Sequence, residues 1–215
     1  MKLYIYDHCP FCVRARMILG IKGIDAEQII LQNDDEDTPI GMIGAKQVPI
    51  LQKQDGSYMG ESLDIVRYID GLSNEGRLKE EIRTEIQTWL DKVNSYSSKL
   101  IQPRTVLIDL PEFSTQKAID YFVHKKEQNI GSFQNNLEKT NEYLQQIHQD
   151  LATLADLIQS EQALNKEISM EDIHAFPILR NLTIVKDIVF PEKVENYIKN
   201  MSNLTGISLY TEKAV

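Results

Sequence analysis

The sequence predicts two regions of different class, an α/β sandwich with a mixed sheet followed by an all-helical region. In the first region, short apolar segments alternate with helix-forming segments as far as Ile69. A glycine-containing polar stretch at 71–76 then breaks this pattern, and beyond it apolar residues recur at spacings of three and four. We therefore predict an α/β domain at residues 1–72, a linker at 73–78 and an all-helical domain at 79–215.

The first region is expected to begin with a strand, a helix and a second strand. Residues 3–6 have the β-branched and aromatic content of a buried strand, predicted at 2–6. Pro10 suits the first position of a helix, where no intrahelical N–H is needed. That helix should run to about Leu19 because glycines follow it. A second strand is predicted at 27–31.

The rest of this region should complete the order βαβαββα. An acidic loop at 33–37 is interpreted as solvated surface rather than as a cation site. The elements expected after it are a short helix at 38–43, a strand at 48–51, a hairpin turn at 54–56, a returning strand at 57–59 and a helix at 61–69.

Apolar periodicity predicts the helices of the second region. Residues Ile82 to Val93 carry one stripe, which contains the sole tryptophan, Trp89, as a core residue. Residues Leu137 to Ile158 carry another, which we expect to lie on one buried helix.

Two prolines and a capping motif define the later helices. Ser169 is the predicted N-cap of a helix, and Asp172 at the third helical position can reach back to it in a capping box. Pro177 should bend or interrupt that helix early. Pro191 should begin the last helix.

Composition excludes several classes of function. The formal net charge of −9 argues against general nucleic-acid binding, which leaves a basic footprint. No stretch approaches the roughly 18 apolar residues of a membrane span, and the short N-terminal apolar run is interrupted by Asp7, unlike a signal peptide. We expect a cytoplasmic protein, in which a pair of cysteines is more often catalytic than a static crosslink.

The two cysteines of the chain form a Cys9-Pro10-Phe11-Cys12 motif directly after the first strand, a pattern typical of dithiol redox centres. Cys9 would be the helix N-cap, its sulfur facing the free N–H groups of Phe11 and Cys12. These groups and the helix dipole favour a thiolate, and Arg14 and Arg16 add positive potential. Cys12, inside the first turn, should be more buried and less ionised.

Other roles for the cysteine pair are less consistent with the sequence. Buried packing residues, half of a zinc site and an iron–sulfur cluster shared between two chains remain alternatives. Structural zinc needs four ligands, and the histidines are scattered at positions 8, 124, 148 and 174. We therefore expect no metal.

A second pair of motifs indicates a thiol peptide as ligand. Val48-Pro49, at the head of a strand beside the cysteine loop, is a common place for a cis peptide, which would turn the Val48 N–H and C=O toward an extended peptide. Glu61-Ser62 opens the next helix, where free N–H groups and the Ser62 hydroxyl would hold a carboxylate. Each motif alone is also compatible with an ordinary strand start or helix cap.

These motifs resemble those of a known family. Cys9-Pro10-Phe11-Cys12, Val48-Pro49 and Glu61-Ser62 look like the glutaredoxin pattern on a thioredoxin-like domain. The helical remainder, with its Ser169-to-Asp172 capping box, resembles the C-terminal domain of cytosolic glutathione transferases. Over essentially the whole chain the combination is similar to the glutaredoxin 2 family of large, transferase-shaped bacterial glutaredoxins.

The resemblance implies a glutathione-dependent thiol–disulfide oxidoreductase with a glutathione-transferase-like architecture. Its partners would be glutathione as cosubstrate, disulfide-containing or glutathionylated proteins, and glutathione reductase as the recycling system. Cys9 would be the nucleophile and Cys12 the resolving thiol. Val48, beside a cis Pro49, would pair with the cysteinyl backbone of glutathione, and its γ-glutamyl end would be held by Glu61 and Ser62.

The chain departs from the usual family pattern at one position, where Phe11 replaces a tyrosine. The ring remains beside Cys9, but its hydroxyl is missing. Cys-Pro-Phe also occurs in omega-like cysteine-type glutathione transferases, so a transferase or dehydroascorbate reductase using Cys9 alone is the alternative function. We expect a monomer.

Overall fold

The computed structural model of the protein describes residues 1–73 and 76–215, and these form two compact units. The first contains the described residues up to 77 together with 109–122, and the second contains 78–108 and 123–215. The division at 73–78 stays a prediction, and residues 74 and 75 of that linker lie outside the described residues.

The first unit has the predicted βαβαββα order and a mixed sheet, which confirms the predicted fold class. In the described residues the sheet has the strand order β2-β1-β3-β4, with β1 parallel to β2 and antiparallel to β3, and β3 antiparallel to β4. The elements are β1 (Lys2–Ile5), α1 (Pro10–Ile21), β2 (Glu27–Ile30), α2 (Asp37–Ile43), β3 (Ile50–Gln52), β4 (Tyr58–Met59) and α3 (Ser62–Asp70).

The strand register brings three loops to one edge of the sheet. Tyr4 of β1 pairs with Ile50 of β3, and Leu51 pairs with Met59 of β4. Because both pairings are antiparallel, the end of β1, the start of β3 and the end of β4 share this edge. The cysteine loop, Val48-Pro49 and Glu61-Ser62 therefore follow one another along it.

Two boundaries in the first unit differ from prediction by two residues, each for an identifiable reason, and the others agree to within one residue. Strand β3 begins at Ile50 rather than Val48, since Pro49 has no N–H to donate to the ladder. Helix α1 continues through Gly20 to Ile21. The chain turns away only at Gly23, whose φ of 59° suits glycine.

The segment 109–122 completes the apolar core of the first unit. It consists of a short 3₁₀ helix (Pro111–Phe113) and the beginning of α6 (Gln116–Ile130). Phe113, Ala118 and Phe122 are buried. Nothing in the apolar periodicity of the sequence distinguishes this segment from the helices around it.

The regular elements among the described residues of the second unit are helices, as predicted, apart from one isolated bridge between Lys79 and Ser169. Besides the end of α6, its helices are α4 (Thr84–Asn94), α5 (Ser97–Thr105), α7 (Phe133–Glu138), α8 (Thr140–Leu157), α9 (Met170–Leu182) and α10 (Glu192–Thr205), and a 3₁₀ turn (Thr211–Lys213) follows. Trp89 is a buried core residue of α4, as expected, and Pro191 is the N-cap of α10.

The single stripe predicted from Leu137 to Ile158 is wrong in one respect, because it is divided between two helices. Leu137 belongs to α7, and the buried stripe of α8 starts at Leu144. The Thr140 hydroxyl donates to the Leu137 carbonyl at 2.6 Å, so a side chain satisfies a carbonyl at the end of α7.

Helix α9 confirms the predicted capping box, and Pro177 does not interrupt it. The Ser169 side chain accepts from the backbone at the helix start, and the Asp172 carboxylate accepts from the Ser169 N–H at 2.9 Å. Pro177 lies inside the helix, which continues to Leu182. Nearly all of α9 is buried, and this packing outweighs the hydrogen bond that the proline removes.

Within the described residues, no helix is both long enough and apolar enough to cross a membrane.

Candidate active site

The cysteine pair lies at the N-terminus of α1 as the sequence predicts. Cys9 is the N-cap in extended conformation, Pro10 is the first helical residue, and the Cys9 carbonyl accepts from the Val13 N–H at 3.0 Å. Cys12 is completely buried, whereas 9% of the Cys9 surface is exposed. Both cysteines are free thiols. The outer sulfur is therefore Cys9.

Cys9 is the acidic member of the pair. The hydrogen bond from the Cys12 side chain is the main effect that lowers the pKa of Cys9, to about 6, and it outweighs the opposing effect of burial. Electrostatic interaction with His8 and the nearby backbone N–H groups of Cys12 and Phe11 lower this pKa further. Among the described residues the Cys9 side chain makes no capping hydrogen bond, so the N–H groups expected from the sequence contribute less than the second thiol does.

Cys12 has the opposite character. Burial, followed by the hydrogen bond to Cys9, raises the pKa of Cys12 well above its usual value. The Tyr6 backbone N–H donates to the Cys12 Sγ at 3.4 Å and opposes this shift. The pair thus favours a state in which Cys12 keeps its proton and donates it in a hydrogen bond to the Cys9 thiolate.

The two arginines of α1 have different surroundings. The Arg14 guanidinium lies 5.0 Å from the centre of the Phe11 ring, and it interacts electrostatically with Cys9. Arg16 is paired with Asp7 at 2.8 Å, so its charge is balanced locally. Arg14 thus interacts with the outer sulfur, and Arg16 lowers the pKa of the inner one. The Phe11 ring is 51% exposed beside Cys9.

The Val48-Pro49 bond is cis, as the sequence predicts. Pro49 is buried and Val48 is half-buried, directly before β3. Within the described part of the chain, the Val48 N–H and carbonyl make no hydrogen bond. This backbone is therefore available to an external donor and acceptor at the sheet edge that carries the cysteine loop.

Glu61, the predicted first residue of this helix, is instead the N-cap of α3, and Ser62 is its buried first residue. Glu61 has a φ of 59° and a ψ of 107°, a sparsely populated conformation that costs a non-glycine residue about 1–3 kcal/mol. Such a conformation often marks a binding site. No side chain of the described residues caps the helix, so its first N–H groups remain available.

Gln47 supports Glu61 and was not identified from the sequence. Its Nε2 donates to Glu61 Oε1 at 3.2 Å. A Cβ at Gly60 would lie only 2.6 Å from the same Nε2, so glycine leaves room for this side chain. The only sequence signal is the position of Gln47 next to Val48.

A buried His8–Glu112 pair was also missed by the sequence analysis. Glu112 Oε1 accepts from the His8 backbone N–H at 2.9 Å and lies 2.6 Å from His8 Nδ1. The Glu112 side chain is completely buried, and that of His8 is 12% exposed. The two residues are separated by 104 positions, so no local pattern could connect them.

Lys46 joins three parts of the first unit beside the cysteine loop. Its Nζ donates to the Tyr6 hydroxyl at 2.6 Å and to the carbonyls of Asn33 and Asp35 at 2.8 and 2.5 Å. Burial lowers the pKa of Lys46. This lysine anchors the acidic loop that the sequence had suggested to be solvated surface.

The chemistry of this arrangement is that of an exchangeable dithiol. In the described residues, no group of three or more His, Cys, Asp or Glu side chains is arranged to hold a metal ion. The site instead combines an outer thiolate, an inner protonated thiol, unpaired backbone at Val48 and a free helix start at Ser62.

Comparison with known families gives a match over nearly the whole chain. Residues 85–214 match the C-terminal domain of glutaredoxin 2. Residues 3–77 match the N-terminal domain of glutathione S-transferase. Glutaredoxin 2 of Escherichia coli K12 is 47% identical over 215 residues, which is 100% of both chains.

Solved structures agree with these matches. The crystal structure of glutaredoxin 2 from Salmonella typhimurium in complex with glutathione has a TM-score of 0.97 at 50% identity, and the match covers 100% of this chain and 98% of that one. Glutathione transferase Omega 3C from Trametes versicolor has a TM-score of 0.61 at 17% identity, covering 97% of this chain and 84% of that one. At such low identity the second match shows the fold alone.

Proposed function

Because this chain belongs to the glutaredoxin 2 family, we propose that Cys9 and Cys12 are the redox pair of its catalytic reaction. The enzyme class, a glutathione-dependent thiol oxidoreductase with glutathione as cosubstrate, follows from the family. The observation that supports the residue roles is the asymmetry of the pair, in which the outer sulfur is acidic and the inner one is not.

In the dithiol route, the Cys9 thiolate attacks a protein disulfide, forms a mixed disulfide and releases one protein thiolate. Cys12 loses its proton and attacks the Cys9 sulfur, which releases the second protein thiolate and leaves a Cys9–Cys12 disulfide. Two glutathione molecules then reduce this disulfide and become glutathione disulfide. Cys12 is three residues from Cys9 and its hydrogen-bond donor, so it is suitably positioned for resolution.

In the monothiol route, the Cys9 thiolate takes the glutathionyl group from a glutathionylated protein and releases the protein thiolate. A second glutathione attacks the glutathionyl sulfur, forming glutathione disulfide and releasing the Cys9 thiolate. An acidic thiol is a good leaving group, which favours this last step. Cys12 takes no covalent part.

Glutathione binding is assigned to five residues along the sheet edge. The Val48 N–H and carbonyl would pair with the cysteinyl backbone beside the buried Pro49, like an added strand. Glu61 and the start of α3 at Ser62 would hold the amino and carboxylate groups of the γ-glutamyl end. The exposed Phe11 ring would contact the peptide beside Cys9.

Several further assignments belong to the same proposal. The protein substrates are disulfide-containing or glutathionylated proteins, glutathione reductase recycles glutathione disulfide, and the enzyme acts as a monomer in the cytoplasm. The monomer is tested by sedimentation, in which the apparent mass should stay near 24.7 kDa as the concentration rises. A mass that doubles with concentration would contradict it.

The two routes are separated by substituting each cysteine. Cys12→Ser should retain deglutathionylation of a glutathionylated peptide, within about threefold of the unaltered enzyme, because the Ser hydroxyl still donates to Cys9. It should lose reduction of protein disulfides that requires resolution. Cys9→Ser should lose both activities.

A Cys12→Ser variant as inactive as Cys9→Ser in deglutathionylation would overturn the role assignment. The same variants test the transferase or dehydroascorbate reductase alternative, in which Cys9 acts alone. Turnover of electrophiles with Cys12 permanently reduced would support that alternative. The direct hydrogen bond between the two thiols favours the dithiol enzyme.

A further inference from the structure

Glu112 is a buried acidic residue far from Cys9 in sequence. It lies in the segment 109–122, which packs within the first unit. The Glu112 side chain has no exposed surface, and its Oε2 has no hydrogen-bond partner among the described residues. A carboxylate in such a position is costly unless a cation pairs with it.

His8 supplies that pairing, since Oε1 contacts both its N–H and its Nδ1. Burial opposes ionisation of Glu112, but the His8 interactions outweigh it and leave the pKa of Glu112 lowered. An ionised carboxylate can only accept hydrogen bonds, so Nδ1 of His8 carries a proton. The geometry therefore sets both the ring orientation and the protonated nitrogen.

Aromatic rings enclose the same imidazole. The Tyr6 ring is stacked on it with centroids 5.8 Å apart and an interplanar angle of 3°. The Phe113 ring is stacked at 5.2 Å, and the Phe122 ring meets it edge-on at 5.1 Å. The three rings fix the position of the imidazole, and the two stacked faces attract positive charge on it.

We propose that Glu112 is a positioning residue of the redox centre, whose buried carboxylate holds the His8 imidazolium beside Cys9 and thereby favours the Cys9 thiolate. This inference rests on the role proposed for Cys9. His8 is the residue before Cys9, and its electrostatic interaction stabilises the Cys9 thiolate. Glu112 thus acts on the sulfur through an intermediate residue and does not contact the substrate.

Other charged and titratable groups near the pair are accounted for. They are Tyr6 and Asp7 directly after β1, Cys12, Arg14 and Arg16 of α1, Lys46 after α2, and Tyr121 of α6. Asp7 and Arg16 form their own ion pair, and Tyr121 donates to Glu36. Among these, Cys12, Arg14 and Tyr6 interact with Cys9 independently of Glu112.

The direction of the Glu112→Gln effect discriminates between mechanisms. If Glu112 acted only by direct electrostatic repulsion of the Cys9 thiolate, removing its negative charge would lower the pKa of Cys9. If it acts through His8, the imidazolium loses its counter-ion and the pKa of Cys9 should rise, by about one unit. The pH dependence of Cys9 alkylation, measured in a Cys12→Ser background, gives this value.

A matched control is Asp120→Asn, which removes one carboxylate from an exposed position of the same segment. It should leave the pKa of Cys9 unchanged. Adding Glu112→Gln to a His8→Gln variant should raise that pKa no further, since the intermediate residue is already missing. An unchanged or lowered value in Glu112→Gln, or fully additive effects of the two substitutions, would overturn the proposal.

A second test of Glu112→Gln uses protein that keeps both cysteines and measures its redox equilibrium with glutathione. A rise of the Cys9 pKa from about 6 to about 7 would destabilise the reduced pair about fivefold at neutral pH. The reduction potential would then be about 20 mV more negative. A potential that moves upward instead would count against the mechanism.

Two measurements keep the proposal testable if Glu112→Gln does not fold. His8→Gln alone should raise the pKa of Cys9 by about one unit, the rise expected for Glu112→Gln. In the unaltered protein, the Nδ1 proton of His8 should appear as a slowly exchanging, strongly downfield NMR signal coupled to labelled histidine nitrogen. Absence of either effect would reject the inference. If Cys9 of the unaltered protein is not acidic at all, the role proposed for Cys9 itself fails.

Discussion

At the residue scale, the acidity of Cys9 depends most on a donor three residues along the chain. The Cys12 thiol hydrogen bond is the leading cause of the lowered pKa, ahead of the backbone N–H groups at the start of α1. The second cysteine, which we propose as the resolving thiol, is therefore also the main group that stabilises the first thiolate.

We predict that Cys12→Ala raises the pKa of Cys9 by about one unit or more, because the donor is lost. Cys12→Ser, which keeps a hydroxyl donor, should raise it less. The measurement is the pH dependence of Cys9 alkylation in the two variants. Equal pKa values in both would show that the side-chain donor at position 12 has no effect.

At the element scale, α9 begins with a capping box in which the carboxyl group of Asp172 has a raised pKa. Burial raises the pKa of Asp172 to about 6, although backbone N–H groups of Leu164 and Ser169 donate to it. Since the folded value exceeds the usual 3.8, the folded state binds this proton more tightly than the unfolded state does.

The contribution of Asp172 to stability should consequently be fully present below about pH 4 and lost as the pH rises through about 6. We predict that the free energy of unfolding of the unaltered protein, relative to Asp172→Asn, falls by about 3 kcal/mol over this range. Urea unfolding at a series of pH values measures the difference. Asp156→Asn, at an exposed position of α8, should show no such trend.

A relative stability that rises with pH in this window would contradict the prediction. It would mean that the hydrogen bonds received by the carboxylate outweigh its burial. The same helix shows how packing modifies local rules, since Pro177 remains inside it without ending it.

At the scale of the whole molecule, the first unit depends on residues that follow it in the chain. Phe113 and Phe122 pack on His8, and Glu112 binds it, yet all three come from the segment 109–122. A fragment ending at residue 77 would expose this apolar surface and leave His8 without its carboxylate.

We therefore predict that the fragment 1–77 lacks the cooperative unfolding and the acidic Cys9 of the full chain. The loss follows from removing two buried aromatic side chains, each worth about 3–5 kcal/mol when truncated in a core. Circular dichroism during urea unfolding and the alkylation profile of Cys9 provide the measurements, with the full chain as control. A cooperatively folding fragment with an unchanged alkylation profile would refute the dependence.

The sequence by itself determined the order of elements in the first unit, the helical class of the second, the position of Cys9 at the start of α1 and the cis bond before Pro49. These features depend on neighbouring residues, through strand composition, helix capping and the geometry of proline, so a local pattern records them.

Only the tertiary structure decided which groups surround the sulfur. Glu112 reaches His8 across 104 positions, Lys46 reaches Tyr6 across 40, and Gln47 reaches Glu61 across 14. The division of the predicted Leu137–Ile158 helix and the continuation of α9 through Pro177 likewise depend on contacts and burial. Such contacts arise when distant segments bury a common surface, and the spacing of residues along the chain carries no record of them.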